Sequence, residues 1–184
     1  MIGWRGLAGR PGRLCSAALV LAWLAGCAAL APPAPGGGTL LLGRIALRVD
    51  GQPERSISAG FELQGNPQQG ELRLSGPLGT TAAQARWSGG QAVLASAGRE
   101  TVYPDLDSLA AAALGEPLPM AALFDWLQGR PWPGAPSSAR DDAQPGFDQL
   151  GWRISLRQWA DGLLEAQRLA PPVVTVRIRL DAAS

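Results

Sequence analysis

The chain has no histidine. That removes the Ser-His and Cys-His pairs of covalent catalysis and any histidine-ligated metal site. It has no lysine either, every basic residue being arginine, so no glycine-rich phosphate loop with its lysine can be assembled. Cysteine is nearly absent, with only Cys15 and Cys27, both close to the N-terminus. Neither charge sign dominates: sixteen arginines face fifteen acids. A near-neutral chain lacks the basic footprint of a nucleic-acid binder.

What is present begins with an export signal. Arg5, Arg10 and Arg13 form a positive segment, and an apolar stretch extends from Leu14 to Leu24. It is too short to span a bilayer alone and runs directly into small residues. Leu24-Ala25-Gly26-Cys27 has the form of a lipobox. There a large apolar residue stands three before a cysteine, and two small residues admit the backbone to the signal peptidase. This reading makes residues 1–26 a signal peptide and Cys27 the acylated first residue. An ordinary secretory signal ending near a cysteine is the alternative. Ala28 is not the aspartate that favours inner-membrane retention in lipoproteins generally, so the outer membrane is the expected address.

Cleavage after residue 26 removes Cys15 and leaves Cys27 as the sole cysteine, which rules out an intrachain disulfide. It also removes three arginines and no acid, leaving a slightly acidic chain of one-domain length. Residues 27–39, with Pro32, Pro33, Pro35 and glycines from Gly36, hold little that could pack a core. They read as a tether, of at most ~40 Å when extended. Residues 40–184 form the expected domain.

From Leu40 onward the apolar period is two. Ile45, Leu47 and Val49 alternate with polar or small neighbours, as do Ile57 to Leu63 and Leu72 with Leu74. Further strands are predicted over Thr80–Trp87, Gln91–Ser96 and Glu100–Tyr103. Asp105 is placed to cap a helix over Leu106–Leu114 that Gly115 ends. A second helix is predicted from Pro119 as its first residue through Leu127, closed by Gly129. Its stripe of Met120, Leu123, Phe124 and Leu127 reads either as packing on the sheet or as a lid. Arg130–Gly146 reads as a long loop. Strand period then returns at Leu150, Trp152, Ile154 and Leu156, more weakly at Leu164–Leu169, and again at Val174–Leu180. The expected class is mainly β: an antiparallel sheet that meanders and curls, with inserted helices. Paired acids such as Asp141 with Asp142 read as solvated loop residues, and Asp105 with Asp107 as helix-start residues. No enzyme activity and no cofactor are expected.

Four segments resemble the outer-membrane lipoprotein receptor family LolB. They are Gly43-Arg44-Ile45-Ala46-Leu47 with Ser58-Ala59-Gly60-Phe61; Leu72-Arg73-Leu74-Ser75-Gly76-Pro77-Leu78-Gly79-Thr80; Pro119 through Gly129 with Pro131; and Gln149-Leu150-Gly151-Trp152-Arg153-Ile154. The resemblance implies an open antiparallel β-barrel with helices across its mouth. It implies a receptor that takes lipoproteins from a LolA-like periplasmic carrier and inserts them into outer-membrane lipid. It places the family's membrane-insertion leucine at Leu78. The chain departs from the family in lacking an aromatic near the end of its last strand and a proline before Ala170, which leaves the register of the last strands open. On this reading the cargo's acyl chains would meet Ile45, Leu47, Val49, Phe61, Leu63, Leu72, Leu74, Trp87, Trp126, Trp152 and Ile154. The bland alternative is an interior filled by these side chains. The expected protein is a monomer, lipid-anchored and facing the periplasm. A structural or assembly lipoprotein that grips a partner protein without moving lipid is the competing function.

Overall fold

The computed structural model describes residues 38–182. The expected signal peptide, Cys27 and most of the tether lie outside the described residues. Residues Pro35–Ser184 form one compact unit through their own contacts.

Among the described residues, eleven strands and two α-helices make up the fold. Six strands come first: β1 (Thr39–Val49), β2 (Ile57–Gly65), β3 (Gly70–Ser75), β4 (Thr81–Ser88), β5 (Gln91–Ser96) and β6 (Arg99–Tyr103). Helices α1 (Leu106–Leu114) and α2 (Met120–Trp126) come next. The chain then returns through β7 (Ser137–Ala139), β8 (Gly146–Gln149), β9 (Trp152–Gln158), β10 (Leu163–Arg168) and β11 (Val174–Leu180). All lie in one sheet of order β6-β5-β4-β3-β2-β1-β11-β10-β9-β8-β7. Two antiparallel meanders are thus fused where the first strand pairs with the last, from Gly43 opposite Leu180 to Val49 opposite Val174. The register left open by the sequence is regular there and between β10 and β11.

The sheet is curled but not closed. α2 is seven residues long, ~10 Å. Phe124 in it packs edge-on against Trp87 of β4, with ring centroids 6.1 Å apart. Two residues on, Trp126 donates a hydrogen bond of 2.8 Å to Gln149 of β8. β4 and β8 are seven inter-strand steps apart in the sheet order, ~34 Å if the sheet were flat. The helix reaches both because the sheet wraps around it. β6 and β7 remain as separate edges. This is the open barrel with inserted helices that the sequence suggested.

Alternation sets the dry face. Leu47 and Val49 are buried while Arg44 and Arg48 on the opposite face are exposed. On β11, Val174, Val176 and Ile178 are buried and Arg177 is exposed. α1 keeps its predicted bounds because both ends are coded locally: Asp105 accepts from the Ser108 amide at 2.6 Å, and Gly115 takes the left-handed conformation at φ 70°.

Three local expectations are corrected. Leu150–Leu156 is not one strand: Leu150 and Gly151, both with positive φ, form the two-residue turn between β8 and β9. The apolar Leu150 mimicked a strand residue, yet it is exposed at a turn tip. The polar stretch before Gly146 is not all loop, since β7 pairs with β8 there. Pro119 precedes α2 as its cap rather than serving as the first helical residue.

Two outcomes are expected. Leu164 is completely buried on β10, so Leu164→Ala should lower unfolding free energy by about 2–5 kcal/mol, whereas Leu40→Ala at an exposed site should change it little. Hydrogen bonding from Ser108 lowers the pKa of Asp105. The cap therefore contributes stability above the unfolded carboxylate's ~3.9 and loses it as pH falls through the lower folded value. Denaturant midpoints of wild type and Asp105→Ala should differ at neutral pH and converge in acid.

Candidate functional site

The dry face of β1, β2, β3 and β11 and the underside of the helices do not meet flush. Between them lies a hollow of about 60 Å³ with wholly apolar walls. The sheet contributes Ile45, Leu47, Ile57, Phe61, Leu63, Leu72, Leu74 and Ile178. The helical segment contributes Leu114, Leu118, Met120, Leu123 and Leu127. The volume is that of about two liquid waters at ~30 Å³ each, and no wall offers a water a hydrogen bond.

Six of the side chains picked out by alternation meet there: Ile45, Leu47, Phe61, Leu63, Leu72 and Leu74. Val49, Trp87, Trp126, Trp152 and Ile154 are also buried but do not line it. Trp87 is occupied by Phe124 and donates its indole N–H to the Asn66 carbonyl at 2.8 Å. Trp126 and Trp152 lie against each other at 6.3 Å between ring centroids. These five build the packed core beside the hollow. Ile57 and Ile178 of the sheet, Leu114, Leu118 and the helical stripe of Met120, Leu123 and Leu127 were missing from the expected set. Both readings of that stripe hold at once, since α2 packs on the sheet and also covers the hollow.

One polar node anchors the far end of the cover. Gln149 is 3% exposed, yet all its side-chain bonding capacity is used. Its Oε1 accepts from Trp126 Nε1 at 2.8 Å and from the Trp132 amide at 2.9 Å. Its Nε2 donates to the carbonyls of Trp132 and Ala135, at 2.7 and 2.8 Å.

Leu78 stands apart from the core. The β3–β4 turn is closed by Gly79 N–H to Gly76 O and Gly76 N–H to Thr80 O, each 3.0 Å. A bulge precedes it, because Leu74 faces Ala83 while Ser75 faces Thr81. Bulges bend a strand pair and re-aim the residues beyond them. Leu78 is 91% exposed at the tip. Beside the turn runs an open cleft of about 720 Å³ whose lining mixes Arg44, Glu62, Arg73 and Asp181 with Leu42, Phe61, Leu74 and small residues. Its charged rim does not suit an apolar chain, whereas the smaller hollow does.

The acids noted in the sequence are engaged elsewhere. Arg140 hydrogen-bonds Asp142 and, with the Gln144 amide, holds its carboxyl well below the usual range. Asp141 pairs with Arg153 at 2.8 Å. Among the described residues no group of three potential metal ligands converges.

A curled antiparallel sheet whose dry face is covered by two helices over an apolar hollow defines an open β-barrel with a helical cover. The chain belongs to the LolB family: the family model described as outer membrane lipoprotein LolB matches residues 40–182. Relatives named outer-membrane lipoprotein LolB include those of Bordetella petrii, 35% identical over 84% of each chain, and Bordetella pertussis, 38% identical over 83% of each. That of Cupriavidus metallidurans is 32% identical over 88% of this chain and 82% of its own.

Gln149→Ala should leave the buried Trp126 indole N–H, the partly buried Trp132 amide and two carbonyls unpaired. An unfolding free energy lowered by about 3 kcal/mol or more is expected, measurable by urea denaturation of residues 35–184.

Proposed function

We propose that this protein is an outer-membrane lipoprotein receptor. It accepts lipoproteins from a LolA-like periplasmic carrier, shelters their acyl chains under the helical cover and passes them into the outer membrane. Membership of the LolB family supports the role. The observation that carries the mechanism is the dry hollow between the sheet and the α1–α2 segment. A lipoprotein's acyl chains contribute ~0.8 kcal/mol of hydrophobic free energy per buried methylene. Several such chains cannot cross water unless a protein replaces the bilayer around them. A hollow with no polar wall does so without leaving a hydrogen-bonding group unpaired.

At about 60 Å³ the hollow is far too small for an acyl chain, so accepting one requires the cover to move. Its sheet wall is a continuous hydrogen-bonded ladder. The helical wall is the part that can shift as a unit. Acyl transfer then runs downhill: the receptor holds the chains more tightly than the carrier, and the bilayer more tightly still.

Two further assignments complete the proposal. Cys27 carries the lipid anchor, with the adjoining tether holding the domain at the periplasmic side of the outer membrane. Leu78 is the side chain that enters the bilayer during release. At the tip of a tight turn, 91% exposed and clear of the core, its side chain is free to meet membrane lipid.

The test uses residues 35–184 and a carrier loaded with labelled lipoprotein, with outer-membrane vesicles as acceptor. Wild type should strip cargo from the carrier and deliver it to the vesicles. Leu78→Glu should still strip cargo but deliver several-fold less. Formation of a stable complex without cargo movement would replace the receptor reading with a scaffold. Normal delivery by Leu78→Glu would remove Leu78 from the mechanism.

A further inference from the structure

We infer that Glu116, clasped by Arg55 and Arg168, is the releasable latch that holds the helical cover shut; this rests on the receptor reading above. Glu116 lies in the short connection between α1 and α2. Leu114 and Leu118, two residues to either side, both line the hollow. Its side chain is 4% exposed. One carboxylate oxygen meets Arg55 Nη2 at 2.7 Å and the other meets Arg168 Nη2 at 2.5 Å.

The two arginines belong to the sheet, not to the cover. Arg55 lies in the β1–β2 connection and also donates to Gln52 Oε1 at 2.8 Å and to the Gly115 carbonyl. Arg168 ends β10, donates to the Pro172 carbonyl at 3.1 Å and lies 5.9 Å from the centroid of the Trp152 ring. One carboxylate therefore ties the cover to two places on the wall at once.

The cover's two attachments differ in kind. At the α2 end, Trp126 and Gln149 are buried and joined by neutral, fully satisfied hydrogen bonds. Water cannot replace those bonds without entering the core. At the Glu116 end the joint is ionic: Glu116 is as buried as Gln149, but the Arg55 side chain is 34% exposed and brings water to that joint. Ions released there are rehydrated at once, which offsets much of the lost attraction. The geometry makes the α2 end a hinge and the Glu116 end a catch. A chain entering the hollow has to displace Leu114 and Leu118, and that motion carries Glu116 away from both arginines.

Glu116→Gln keeps the size and hydrogen-bonding capacity and removes the charge. In residues 35–184, binding of a fluorescent long-chain fatty acid should become about tenfold tighter and faster, because apparent affinity scales with the fraction of open protein. Amide hydrogen exchange should quicken across 106–119 and stay unchanged across 124–132. Glu165→Gln, which breaks the surface pair with Arg177, should alter neither. If Glu116→Gln does not fold, Arg55→Gln at the partly exposed partner is read the same way. Wild-type probe binding by a folded latch variant, or exchange quickened equally at both ends, would make the trio a static brace and overturn the inference. If no protein takes up the probe, the acyl-shelter reading falls, and the exchange pattern alone decides whether Glu116 latches the cover.

Discussion

Helix α2 must touch strands from both halves of the sheet, and most other features of the molecule depend on that contact. Phe124 reaches Trp87 on one side and Trp126 reaches Gln149 on the other. Seven residues of helix can satisfy both only if the sheet bends around them. The bend turns an alternating dry face, which would otherwise be an aggregation-prone surface, into an interior. It also brings β1, β2, β3 and β11 over the underside of the helices, where the hollow forms. The aromatic residues that flank α2 fill the interior beside the hollow.

A cover packed this way is stable and yet not uniformly fixed. Its buried neutral end is costly to open because every bond broken there exposes an unpaired group. Its ionic end exchanges one set of favourable contacts for another when it meets water. The asymmetry suits a receptor that has to exclude water while empty and admit a chain on contact with its donor. Leu78 belongs to a separate element. It rides on a turn beside a bulge, away from the core, so on the proposed reading the contact with lipid and the sheltering of lipid fall to different parts of the fold.

Much of this was legible along the chain, for local reasons. The strands announced themselves because one face of each is dry and the side-chain period is two. α1 was bounded to the residue because Asp105 and Gly115 act on the backbone within one helical turn. The likeness to LolB singled out Leu78, and its neighbours Pro77 and Gly79 place it in a turn that leaves it exposed. Errors arose where a local signal was ambiguous. Leu150 kept the strand period although it occupies a hairpin turn, and Ser137–Ala139 lacked any large apolar residue to mark it as a strand.

The sequence by itself determined most of the elements, the dry face of each and the absence of histidine-based catalysis, because these depend on residue type and near neighbours. Only the tertiary structure decided which buried residues face a hollow and which fill the core. Leu47 and Val49 share one face of one strand, yet only Leu47 lines the hollow, since the curl places different neighbours above each. Arg55, Glu116 and Arg168 lie far apart in the chain, and nothing in their local sequence couples them. Their meeting is a consequence of folding the two meanders around one helix.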